Sequence, residues 1–132
     1  MKSINLVAVG LGAVAGLLSM VFAGLIGLAV LWLGARAGID TGDTITWVVL
    51  AVALFGGEHV AGYVAGRLVP PFFARMHGAV AALAVYAVVA SFSLVAGSLA
   101  SPLTLAGFAL VAAIIGHIAG AFGGKPRPTD LS

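Results

Sequence analysis

The chain contains no cysteine. That excludes disulfides, thiolate metal sites and cysteine nucleophiles. Charge is nearly as scarce. Six basic and four acidic side chains in 132 residues make 8% of the chain, against about 25% in ordinary globular proteins. The net charge is +2, but the cations form no stripe and sit at the edges of apolar blocks, which argues against a nucleic-acid surface. Also missing are a Gly-x-Ser-x-Gly elbow, a phosphate loop and a dinucleotide fingerprint. The expectation is a protein that is not an enzyme and carries no cofactor.

What the chain does have is hydrophobic residues, 62% of the total, in long unbroken runs. A soluble fold of this size could not cover that much apolar surface with so few charges. A bilayer removes the difficulty, because lipid replaces water as the solvent. Backbone groups in lipid must be paired internally, so spans are helices or closed barrels. The runs lack the period-two alternation of barrel strands. An all-α, four-helix transmembrane bundle follows, as a single domain over residues 1–124 with a polar tail at 125–132 that contains two prolines and reads as disordered.

The first span, 4–33, is about 45 Å long at 1.5 Å per residue, more than the roughly 30 Å hydrocarbon core. Lys2 and the apolar run after it have the outline of a signal peptide, with Val21-Phe22-Ala23 as a cleavage site. The run continues to Leu33, however, beyond an h-region of about 7–15 residues, and reads as a retained helix. The second span, 45–69, has Asp43 or Thr44 as its expected N-cap and stops at Pro70-Pro71. A connector over 72–76 leads to the third span, 77–97. The fourth, 102–123, opens on Ser101-Pro102, a capping residue followed by proline at the first helical position.

Lys2, Arg67, Arg75, Lys125 and Arg127 fall on one side of such a bundle and only Arg36 on the other. By the positive-inside rule both termini are cytoplasmic, in a cell's inner (plasma) membrane. Trp32 and Trp47 flank the outer loop as an aromatic belt would place them, and Phe72 and Phe73 fall at the inner interface. Arg67, Arg75 and Lys125 are expected interface anchors.

Glycines recur four apart: Gly12 and Gly16, Gly62 and Gly66, then Gly116, Gly120 and Gly124. Small residues let helix backbones approach closely in lipid. Most of these seams are expected inside the bundle, others against a partner protein or a second copy. Residues 58–67, EHVAGYVAGR, also resemble residues 116–125, GHIAGAFGGK. The shared histidine and terminal cation suggest a duplicated hairpin, its halves related by a pseudo-two-fold axis along the membrane normal. Convergent small-residue packing ahead of a cation is the alternative.

Glu58, His59 and His117 are the polar exceptions. Glu58 lies nine residues before Arg67, about 13 Å along the helix. Each histidine lies eight residues before its own cation, so the two share a depth. A charge at the bilayer centre costs roughly 2.5–3.5 kcal/mol on insertion scales, so such groups face the bundle interior, water or a partner. Three roles are open: interhelical hydrogen bonds that fix packing, a proton or cation path, or ligation of a metal or pigment. Against ligation, neighbours on a helix point about 100° apart and no histidine pair has i,i+4 spacing, so no metal site is expected. His77 reads as an interfacial residue. Aligning the halves sets Glu58 against Gly116, which leaves room for its side chain, with His117 placed to hydrogen-bond to it directly or through one water.

The stretch from Gly56 to Arg67, then the short connector and His77-Gly78, resembles small four-helix bacterial membrane proteins over nearly the whole chain. That group implies a fold and no activity. Rotary ATPase proteolipids have a glycine-rich helix followed by one with a buried carboxylate, but their polar-loop signature is missing here and the orientation differs. Small multidrug exporters carry their essential carboxylate on the first helix, where this chain has no acid. The expected function is a non-enzymatic scaffold or accessory subunit that packs against other membrane proteins or itself. The alternative is a small proton or cation transporter using Glu58, His59 and His117.

Because the chain has no native cysteine, topology is directly testable. Single cysteines placed between Arg36 and Asp43 should react with an impermeant thiol reagent added outside the cell, and those between Arg67 and Arg75 should not. The reverse pattern would invert the orientation.

Overall fold

The structure, a computed structural model, describes residues 4–98 and 100–126. Four helices make up these residues: α1 (Leu6–Arg36), α2 (Asp43–Arg67), α3 (Pro71–Val95) and α4 (Pro102–Gly123). All four are long and apolar enough to cross a membrane. The protein is an integral membrane four-helix bundle.

The helix ends follow local chemistry. The Asn5 side chain accepts hydrogen bonds from the Val7 and Ala8 amides and caps α1. Ser101 caps α4 through the Thr104 amide, with Pro102 at the first helical position as expected. α1 and α3 both end at a glycine of positive φ, Gly38 (77°) and Gly97 (73°). There the following amides, Ile39 and Ser98, turn back onto the Gly34 and Ser93 carbonyls.

Several boundaries differ from those read in the sequence. α3 begins at Pro71, so residues 72–76 are helix and not a connector. A proline ends the preceding helix but suits the first position of the next, where its missing N–H would have had no partner. The double proline therefore does both jobs, and only 68–70 link α2 to α3. α1 runs on to Arg36 and α3 stops at Val95. The cap of α2 is Gly42, with no side-chain hydrogen bond, in place of Asp43 or Thr44. Most of the polar tail, from residue 127, lies outside the described residues, as does Lys2.

Helix α2 packs against all three others, and α3 does the same. Among the described residues α1 and α4 do not meet. A two-fold axis relating the hairpin α1–α2 to α3–α4 would turn the α2–α3 contact into an α4–α1 contact. The bundle lacks that counterpart, so its packing does not carry the symmetry expected of a duplicated hairpin.

The core is made of backbone and methyl groups. The buried apolar residues are alanines, with Val9, Val69 and Val85 the only larger ones among those described. A Cβ added at Gly12 would stand 2.6 Å from the Ala61 carbonyl oxygen, and one at Gly16 2.5 Å from that of Gly57; these glycines join α1 to α2. One at Gly62 would stand 2.7 Å from the Gly116 Cα, and one at Gly66 2.7 Å from the Gly120 Cα, between α2 and α4. Gly116 and Gly120 also abut the Gly78 and Ala74 carbonyls of α3, and Gly124 abuts the Ala74 methyl. α4 thus lays one small-residue edge into the furrow between α2 and α3. Gly57, Gly78 and Gly123 make equally close approaches. A search for glycines four apart misses them, because alanine fills the partner positions.

This tight half lies at the end that carries Asn5, Arg67 and the end of α4. Toward the other end the helices leave an apolar cavity of about 440 Å³, lined by all four, among them Met20, Trp47, Leu54, Val89 and Phe108. Trp32 and Trp47 are exposed there, and the Arg36 guanidinium lies 4.4 Å above the Trp32 ring.

Gly116→Ala should lower stability by about 1–3 kcal/mol through overpacking against Gly78 and Ala82. Gly107, where an added Cβ meets nothing within 4 Å, should behave oppositely. Gly107→Ala should be neutral or stabilising by up to about 1 kcal/mol through helix propensity. Thermal unfolding in a mild detergent would show both.

Candidate functional site

The three polar residues singled out in the sequence do not come together. Glu58 is 1% exposed and lies inside the bundle. His59 and His117 are both exposed on its outside. The reason is helical phase. Successive residues are about 100° apart, and the neighbours of Glu58 on its own face, Ala61 and Gly62, point to the core. His59 is therefore turned outward. On α4 it is Gly116 that faces α2 and α3, which turns His117 away from Glu58.

No direct Glu58–His117 hydrogen bond forms, because the two side chains face different ways. Glu58 Oε2 is buried with no hydrogen-bond partner among the described residues. Among the described residues neither exposed histidine makes a side-chain hydrogen bond, so no hydrogen bond joins these three residues across the helices. Among the described residues no three histidine or carboxylate side chains are grouped to hold a metal ion. Together with Val85, Glu58 is the largest fully buried side chain. It occupies the space just beyond the glycine contacts, one turn below Leu54 on the wall of the apolar cavity.

Other residues make the polar links between helices, most of them near helix ends. His77, expected at the membrane interface, is in fact 3% exposed. The Asn5 amide donates to its Nε2 at 2.9 Å, and its Nδ1 lies 2.9 Å from the Phe73 carbonyl oxygen. An amide N–H can only donate, so the network assigns the hydrogen to Nδ1, which donates to Phe73. One imidazole thereby ties the start of α1 to the first turns of α3. Arg67 does the same for α2 and α4, donating from one terminal nitrogen to the Gly123 and Lys125 carbonyls at 3.3 and 3.0 Å. The first is the last carbonyl of α4, which lacks a partner within the helix, and the second lies just past its cap. Toward the opposite end, the Tyr86 hydroxyl donates to the Leu105 carbonyl at 2.8 Å. The sequence signal for the Asn5–His77 link was weak: an Asn just before an apolar run, and a histidine one turn and a half after a double proline.

Arg75 is exposed and, among the described residues, has no hydrogen bond or ion pair. The Lys125 ammonium sits 4.5 Å above the Phe122 ring. With His117, Ile118 and Ala121 these side chains line a cavity of about 390 Å³ on the outer face of α3 and α4.

Comparisons with protein-family models, curated proteins and solved structures found no match to this chain.

Asn5→Ala and His77→Ala should each lower stability by about 1–2 kcal/mol, from the lost cap and the amide left unpaired. His59→Ala and His117→Ala should change the isolated protein by less than about 0.5 kcal/mol. Glu58→Met keeps the side chain's length at a slightly larger volume and removes an unpaired oxygen, so its melting temperature should equal or exceed that of the parent. A lower one would mean that the carboxyl has a partner.

Proposed function

We propose that the protein is a non-enzymatic membrane subunit whose α2 docks against a transmembrane helix of another membrane protein or of a second copy. The observation that carries this reading is the outward placement of His59. It is exposed and lies eight residues, about 12 Å, above Arg67. An imidazole facing lipid at that depth has no partner for its N–H and lone pair, and burying an unpaired polar group is costly. A helix bringing a hydrogen-bonding side chain would remove that cost.

The surroundings of His59 suit such a helix. Gly56 and Tyr63 lie exposed on the same face, one turn to either side, and nothing lies within 4 Å of a Cβ built on Gly56. The face thus offers a notch, an imidazole and a phenol in succession. The loops are short, 37–42, 68–70 and 96–101 between helices, and offer no room for a catalytic domain. On the orientation read from the cations, the subunit sits in the inner (plasma) membrane with both termini in the cytoplasm.

A second reading, a small proton or cation transporter, has in its favour the buried Glu58 Oε2, which is without a partner among the described residues. Against it, the cavity above is lined almost wholly by apolar side chains, and neither histidine reaches Glu58. A hydrated route to the carboxyl is the feature this reading needs.

A photo-crosslinking residue at position 59 or 63, activated in native membranes, should yield a discrete protein adduct. The same residue at Leu18, exposed on α1, should yield lipid adducts. Lipid adducts alone at all three positions would remove the subunit reading. Proton flux in reconstituted vesicles that is abolished by Glu58→Gln would establish the transporter in its place.

A further inference from the structure

We propose that the groove between α3 and α4 holds one anionic phospholipid, its phosphate between Arg75 and Lys125 and an acyl chain along Ala79, Ala113 and Ile114. Two adjoining cavities make up this groove. The lower, about 390 Å³, is lined by Arg75, His117, Ile118, Ala121, Phe122 and Lys125. The upper, about 290 Å³, is lined by Ala79, Ala113, Ile114, His117 and Ile118. His117 and Ile118 border both, so the two lie side by side along the same face.

The order of chemistry along the groove is that of a phospholipid. At the helix ends lie a guanidinium and an ammonium, and above them the wall is alanine and isoleucine. Basic pockets between helices at the membrane surface are anion sites for lipid headgroups. Arg75 has no partner among the described residues, and no described carboxylate stands near to neutralise it. Asp40 and Asp43 are at the opposite end of the bundle, and Glu58 is buried within it. A phosphate diester meets both cations, and the His117 ring lies where the headgroup gives way to the chain, able to donate to an ester oxygen. The small side chains of Ala79 and Ala113 leave the furrow in which a chain can lie. This groove is on a different face from the one that presents His59.

Native mass spectrometry of the detergent-stripped protein tests this. Dioleoylphosphatidylglycerol or dioleoylphosphatidylcholine is added at equal concentration, and the retained lipid is counted. The expected result is one phosphatidylglycerol per chain, favoured about tenfold or more over phosphatidylcholine. Arg75→Gln with Lys125→Gln should bring the two lipids to parity. Ala113→Phe should also lose the bound lipid, because it fills the acyl furrow while every charge stays. Ala79→Leu enters the same furrow from α3 and gives the same reading should Ala113→Phe fail to fold. Equal retention of the two lipids would overturn the proposal. So would phosphatidylglycerol binding that survives a filled furrow, which marks attraction to surface charge only. Displacement of the lipid by millimolar inorganic phosphate would overturn it as well, and make the site one for free phosphate.

Discussion

The contact on which the rest of this bundle depends is backbone against backbone. In water, helices associate because apolar side chains leave the solvent. In a bilayer the lipid tails are as apolar as leucine, and that drive is gone. What remains is dispersion, which grows with the number of atom pairs near 4 Å. Removing the side chains at Gly62, Gly66, Gly116 and Gly120 brings peptide planes of α2, α3 and α4 into that range. The large side chains of this chain, by contrast, are mostly outside: Leu6, Phe22, Trp47, Phe72 and Phe92 are all exposed to the surroundings. The usual distribution of a soluble protein is inverted, small inside and large outside, because the surroundings are lipid.

That inversion gives Glu58 its setting. Among glycine and alanine, a carboxylic side chain is bulk as much as polarity. It stands where the tight contacts end and the cavity begins, so one residue marks the change from a closely packed half to a looser one. The polar links follow the same division. Asn5–His77 and Arg67–Gly123 close the basic end, and Tyr86–Leu105 is the link found toward the other.

How much of this was legible in the sequence depended on whether the signal was local or depended on azimuth. Span count and type came from run length, which needs no neighbour. Ser101-Pro102 carried its helix start in two residues, and the role of Pro71 was missed because a proline was read only as a stop. The seven glycines of the four-residue spacing all lie at close approaches, yet Gly78 and Gly57 were invisible to a search that ignored alanine. The polar cluster was misread for a geometric reason. Spacing along the chain gives a residue's depth, but depth alone does not bring side chains together. A rotation of about 100° per residue separates Glu58 from His59 as surely as distance would. His77 is the converse case: a position near a helix end suggests the surface, yet the start of α1 at Asn5 packs over it.

The absence, among the described residues, of any contact between α1 and α4 bears on assembly during synthesis. The chain enters the membrane from its N-terminus, and domains form in the order in which they emerge. Helix α2 arrives beside α1, and α3 then packs on both. The last helix meets only α2 and α3, both already in the bilayer, and nothing must separate to admit it. The bundle can thus be completed by successive addition at one flank, with the furrow between α2 and α3 as the seat that the last helix fills.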